Sequence, residues 1–162
     1  MRFGVLILCL LASAPALAAD CTAPAEPGID WQRCYFDGRD LSGHELAGAR
    51  LRETSFQRAD LSGADLAGTD AYRVRFVSAK LKGAKLDGGI FVEGDFTKAD
   101  LTEASLKGAD FRRAKFFRAT LKGADLTGAR LQGADFLHAD LSGARWTDGK
   151  RICAEGSVGQ CY

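Results

Sequence analysis

A period of five residues constrains this chain more than any other feature. Reading every fifth residue from Trp31 to Trp146 passes through 24 pentads without one slip of phase. Twenty-one of those centres are Leu or Phe, and the exceptions are the two terminal tryptophans and Ala71. Two residues before the centre, alanine fills 15 of the 24 positions. No ordinary element carries such a pattern. On an α-helix five residues advance about 500°, so successive centres share no face. On a strand, an odd spacing throws successive centres to opposite sides. Each pentad must therefore be a short extended piece plus a bend that keeps its centre pointing inward.

Sorting the centres by twenty shows how many bends close a coil. One column reads Phe36, Phe56, Phe76, Phe96, Phe116, Phe136, and the next Leu41, Leu61, Leu81, Leu101, Leu121, Leu141. A third reads Leu46, Leu66, Leu86, Leu106, Leu126, Trp146, and the fourth is mixed: Trp31, Leu51, Ala71, Phe91, Phe111, Leu131. Residues twenty apart therefore stack, and four pentads make one square turn. Two residues after the centre, glycine fills ten of twelve positions in the two leucine columns but only Gly38 and Gly133 in the others. Because glycine tolerates positive φ, the corners after the leucine columns are expected to use a tighter turn of a different type.

The Ala59-Asp60-Leu61-Ser62-Gly63 and Ala139-Asp140-Leu141-Ser142-Gly143 runs resemble the pentapeptide-repeat family, over about residues 31–149. The resemblance implies an all-β fold, a right-handed quadrilateral β-helix with four pentads per coil and about six coils. It implies little about activity, because the repeat residues build a core that serves unrelated roles. Some cytoplasmic members mimic DNA and protect a type II topoisomerase.

The flanks organise the rest. Arg2, the apolar run Val5 to Ala12 and Ala16-Leu17-Ala18 read as a signal peptide over 1–18. Residues 19–30 form an N-terminal cap segment, 31–149 the β-helix, and 150–162 a C-terminal cap. Four cysteines then remain, Cys21, Cys34, Cys153 and Cys161. Four thiolates can hold zinc, but neither pair has zinc-knuckle spacing and export into an oxidising compartment favours disulfides. A bridge needs Cα atoms within about 7 Å, and the rod keeps its ends apart, so Cys21–Cys34 and Cys153–Cys161 are the expected pairs. The location expected is exported, periplasmic or extracellular in a bacterium, with no membrane insertion after cleavage.

Composition removes other classes. Lys plus Arg number 22 against 21 Asp plus Glu, which neither attracts nucleic acid nor mimics it, and Arg58, Lys98 and Arg118 share one corner column. His44 and His138 lie near opposite ends. Ser42, Ser62 and Ser142 recur at a corner with no histidine in register. The aspartates Asp40, Asp60, Asp100 and Asp140 form an outward column that Lys80 interrupts, read as bonding local backbone rather than calcium. Arg33, Glu53, Arg73, Glu93 and Arg113 alternate in sign and serve register and solubility. No cofactor, metal or catalytic set is expected, so the protein reads as a non-enzyme. Tyr72, Val77, Val92, Phe117 and Leu137, with Ile90 beside them, occupy outward positions that are polar in the leucine columns. They form the candidate interface for an unknown protein partner or for self-association.

Overall fold

The computed structural model describes residues 19–162, so residues 1–18, expected to be a signal peptide, lie outside the described residues. The residue before each centre forms a parallel bridge to the residue twenty further on, from Asp30↔Arg50 through Asp125↔Arg145. Two backbone hydrogen bonds make each rung. The Leu61 amide donates to the Lys80 carbonyl at 2.7 Å, and the Lys80 amide donates to the Ala59 carbonyl at 2.9 Å. The register of twenty is thus the hydrogen-bond register, and four pentads close one four-sided turn.

Inside, the centres and the alanines two before them are almost all inaccessible to solvent. The phenylalanine column stacks as a ladder, with ring centroids 5.5 Å apart for Phe36–Phe56 and 4.8 Å for Phe116–Phe136. Burial of each centre contributes about 1.5–3 kcal/mol. Core volume is balanced locally. Ala71, the smallest centre, is flanked by Thr69 and Val74 instead of alanine, both buried. Phe91, one coil further, is flanked by Gly89 and Gly94, where a Cβ at Gly89 would stand 2.5 Å from the Phe91 ring.

The corners correct one expectation. In every pentad from Trp31 to Trp146 the carbonyl of the centre accepts from the amide three residues on. The third turn residue has positive φ at every corner except the last, whether it is glycine (Gly63, φ 67°) or not (Arg118, φ 56°; Glu53, φ 58°). All these corners therefore share one turn, with the φ signs of type II. Glycine marks corners where the strain of the left-handed region is removed. Elsewhere a residue with a side chain occupies the same strained backbone, Arg73, Glu93 and Arg113 with ionic partners and Arg118 with a stacking one. At the last corner the positive φ moves one residue on, to Gly149 (φ 70°), where the regular coil ends.

Both ends are partly closed. The N-terminal segment pairs Gly28 with the Ala47 carbonyl at 2.8 Å and covers Trp31, which is 2 % exposed. Cys21 and Cys34 are bonded, with Cα atoms 5.5 Å apart. At the other end residues 150–162 fold back antiparallel over the two leucine columns, pairing Val158 with Asp140 and Ile152 with Arg145. Cys153 and Cys161 are bonded there, with Cα atoms 4.8 Å apart.

Candidate functional site

The outward residues fall into three groups. The aspartates before the centres are engaged by their own pentad, Oδ1 of Asp40 accepting from the Ser42 amide at 3.0 Å and hydroxyl at 2.7 Å. The same contact recurs at Asp60, Asp100 and Asp140. The Ser42 hydroxyl, then its amide, hold the Asp40 carboxyl below the usual carboxylate range. At Asp140 burial pushes upward, but the Ser142 hydroxyl and amide and Lys122 outweigh it and leave the carboxyl lowered. These side chains brace turns. Lys80, the interruption in the column, donates to Asp60 at 3.3 Å.

Two braces cross between coils, and single-pentad reading misses them. Where serine replaces aspartate, as at Ser55, Asp37 of the preceding coil accepts from the Ser55 hydroxyl and from the Gln57 amide at 3.0 Å. Asp87 does the same for Ser105 and Lys107. The signal was present: each aspartate stands eighteen residues before a serine at the bridge position.

The alternating corner column forms ion pairs at Arg33–Glu53 (3.6 Å), Arg73–Glu93 (2.7 Å) and Arg113–Glu93 (3.5 Å). The Arg73 hydrogen bond lowers the Glu93 carboxyl. This column and its neighbours bound a shallow surface groove of roughly 340 Å³, lined by Arg73, Arg75, Arg113 and Lys115 against Glu93 and Asp95 over Val74. Its charges alternate in sign from layer to layer along the rod, Arg73 and Arg75, then Glu93 and Asp95, then Arg113 and Lys115.

Of the apolar candidates, Tyr72, Val77, Val92 and Phe117 are half-buried, while Leu137 and Ile90 are 56 % and 46 % exposed. Tyr72 lies between Arg52 and Arg73, 5.3 Å and 5.0 Å from its ring centroid, and its hydroxyl donates to Glu93 at 3.3 Å. Phe117 is covered by Arg118 at 5.2 Å and by the edge of His138 at 5.8 Å. Leu137 follows Phe117 one coil on and presents the largest open apolar surface of the five. His44 is exposed, with Nδ1 3.1 Å from the Ser42 carbonyl. Among the described residues, no three His, Cys, Asp or Glu side chains converge as metal ligands, and no helix is long and apolar enough to cross a membrane.

The model of pentapeptide repeats matches the chain in eight copies over residues 32–68, 54–91, 79–116, 95–133 and 109–145. The chain belongs to the pentapeptide repeat family. Membership brings the right-handed quadrilateral β-helix, whose four sides are the columns described above. The chain is also similar to solved structures. HetL, involved in heterocyst differentiation regulation in the cyanobacterium Nostoc sp. strain PCC 7120, is 23 % identical over 76 % of this chain and 90 % of its own, with a TM-score of 0.35. A protein of the Arabidopsis thaliana thylakoid lumen is 26 % identical over 80 % and 85 %, at 0.43. QnrB1, a plasmid-mediated fluoroquinolone resistance protein, is 20 % identical over 80 % and 84 %, at 0.40. A search of curated protein sequences finds no match. The repeat thus defines the fold of this pentapeptide repeat protein, and its role rests on what varies between columns.

Proposed function

We propose that this pentapeptide repeat protein is an exported, non-enzymatic structural or protein-binding module. Its leader is residues 1–18, its caps are 19–30 and 150–162, and its β-helix of about six coils spans 31–149. The observation that carries the reading is the commitment of its polar groups. The interior is filled by Leu, Phe and Ala, and the outward aspartates brace turns or pair with cations. Catalysis requires an acid, base or nucleophile free to meet a substrate in a concave, partly dry site. The cysteine pairs at both ends support export. Partner binding falls to the apolar face of Val77, Val92, Phe117 and Leu137, with Tyr72 at its margin. The topoisomerase-protecting alternative needs a strongly acidic rod, whereas this chain carries a formal net charge of +1.

Fractionation with thiol titration tests the reading. The expected result is cleaved protein outside the cytosol with no titratable thiol in the native state and no hydrolase, transferase or redox turnover. Uncleaved cytosolic protein, or one reactive thiol per chain lost on Cys34→Ser, would overturn it.

A further inference from the structure

Ion pairing avoids one side of the rod. Among the described residues twelve ion pairs form, all within pentads of the mixed and leucine columns, and none involves a pentad of the phenylalanine column. The phenylalanine pentads are nevertheless charged. They carry five cations, Arg58, Arg75, Lys98, Lys115 and Arg118, all exposed. They also carry three aspartates, each held by a turn amide. Asp37 accepts from Gln57, Asp95 from Thr97 and Asp135 from Leu137. The carboxylates of this side are thus fixed to backbone, and its cations meet no carboxylate among the described residues.

The cations flank an apolar row. Arg75 and Lys115 stand just before their phenylalanines, Arg58, Lys98 and Arg118 two residues after theirs, and Val77, Phe117 and Leu137 run between. Arg75 and Lys115 also line the surface groove beside this row. Arg58, Lys98 and Arg118 hold φ of 57°, 59° and 56°, where a Cβ is strained and glycine is not. At the preceding corner Arg73, Glu93 and Arg113 occupy the same backbone with ionic partners in an adjacent coil. Arg58, Lys98 and Arg118 have no such partner among the described residues. Strained residues of this kind cluster at ligand clamps.

We infer, on the reading of the chain as a protein-binding module, that this side docks an acidic protein surface. The partner sets carboxylates against the two cation rows and apolar side chains against Val77, Phe117 and Leu137. An apolar centre inside a polar rim is the usual build of a protein contact. Rim cations free of internal pairs give complementarity and fast encounter without first breaking an ion pair. The aspartates decide the class of partner. A uniform polyanion, whether nucleic acid or a lipid surface, would meet Asp37, Asp95 and Asp135 as well as the cations, whereas a protein places its carboxylates singly. Val77 and Phe117 are half-buried, so a neighbour can cover them but they do not reach into a bilayer. The stretch from Arg58 to Leu137 is about 19 Å long at the spacing of paired strands, which suits a small, transient contact.

Nuclear magnetic resonance titration of the oxidised chain with a random copolymer of glutamate and tyrosine tests the assignment, with polyglutamate, heparin and phosphatidylglycerol vesicles as comparisons. The copolymer is expected to perturb Val77, Phe117, Leu137 and the five cations, to bind more tightly than the other three, and to weaken as salt rises. Arg58→Gly, Lys98→Gly and Arg118→Gly together remove three charges while easing three strained corners. Binding should then fall roughly tenfold with no drop in melting temperature. Removing three paired cations of other sides, by Lys80→Gln, Lys85→Gln and Lys122→Gln, should leave binding within about twofold. No copolymer binding at low salt, equal or tighter binding of heparin or vesicles, self-association through the same residues, or equal loss in both triple variants would overturn it. Binding that survives the glycine substitutions but is lost on Leu137→Ser would overturn the acidic partner alone and leave the binding module intact.

Discussion

At the scale of single residues, the core works by local volume balance. Gly89 and Gly94 are the only glycines at the position that alanine usually fills, and both flank Phe91. At Gly94 a Cβ would lie 3.0 Å from the Phe91 carbonyl and from the Phe96 ring. Gly89→Ala is therefore expected to cost about 1–3 kcal/mol as overpacking, and Phe91→Leu in the same chain should recover most of it. Denaturant unfolding of the single and double variants measures both. The corners respond in the opposite sense. Ser78 sits at φ 56°, in a region costing roughly 1–2 kcal/mol for a residue with a Cβ. Ser78→Gly should stabilise by about 0.5–1 kcal/mol, the remainder going to glycine's greater unfolded freedom. A loss of stability there would show that corner strain does not govern the glycine pattern.

At the scale of the turn and its brace, carboxylates hold the bends. Asp37→Ala leaves the buried Ser55 hydroxyl and the Gln57 amide without their acceptor. The expected cost is about 1–3 kcal/mol, against near zero for an exposed aspartate bonded to nothing. The same braces set the response to acid. Asp40, Asp60, Asp110, Asp125 and Asp140 all have carboxyls lowered in the folded state. A carboxyl lowered on folding contributes stability that is present above its unfolded value of about 3.9 and is lost as pH falls through the folded value. The melting temperature should thus be level from neutrality to about pH 5 and drop steeply below pH 4. Because short hydrogen bonds to hydroxyls and amides are part of the cause, added salt should shift the drop only slightly. A melting temperature unchanged from pH 7 to pH 2 would show that the braces contribute nothing.

At the scale of the whole molecule, each coil contacts its neighbours, so stability is a sum of rungs and the ends are where opening begins. The disulfides act there. They close segments of 13 and 8 residues, worth about 2.5–3 kcal/mol each when estimated from loop entropy. Replacing Cys21 and Cys34 with serine should lower stability by that amount and release the N-terminal segment first. Hydrogen exchange would show it as early loss of protection at Gly28 and Arg50, whose amides bond across that junction. Uniform loss along the rod would mean that the coils unfold as one unit.

The period of five, the stacking by twenty and the division into four columns were all legible in the sequence, because each coil repeats the same steric problem and the same residues solve it. The cysteine pairing also followed, since a rod keeps its ends apart. What the tertiary structure decided lies between coils or at their ends. The shared turn at nearly every corner was hidden because glycine reports where strain is relieved, not where φ is positive. The Asp37–Ser55 and Asp87–Ser105 braces join residues of different pentads. The antiparallel cap over the two leucine columns is made by residues 150–162, which carry no repeat. A periodic sequence specifies the interior of such a rod because identical neighbours surround every pentad. At the last coil that symmetry is broken, and only the packed chain settles which backbone groups remain open.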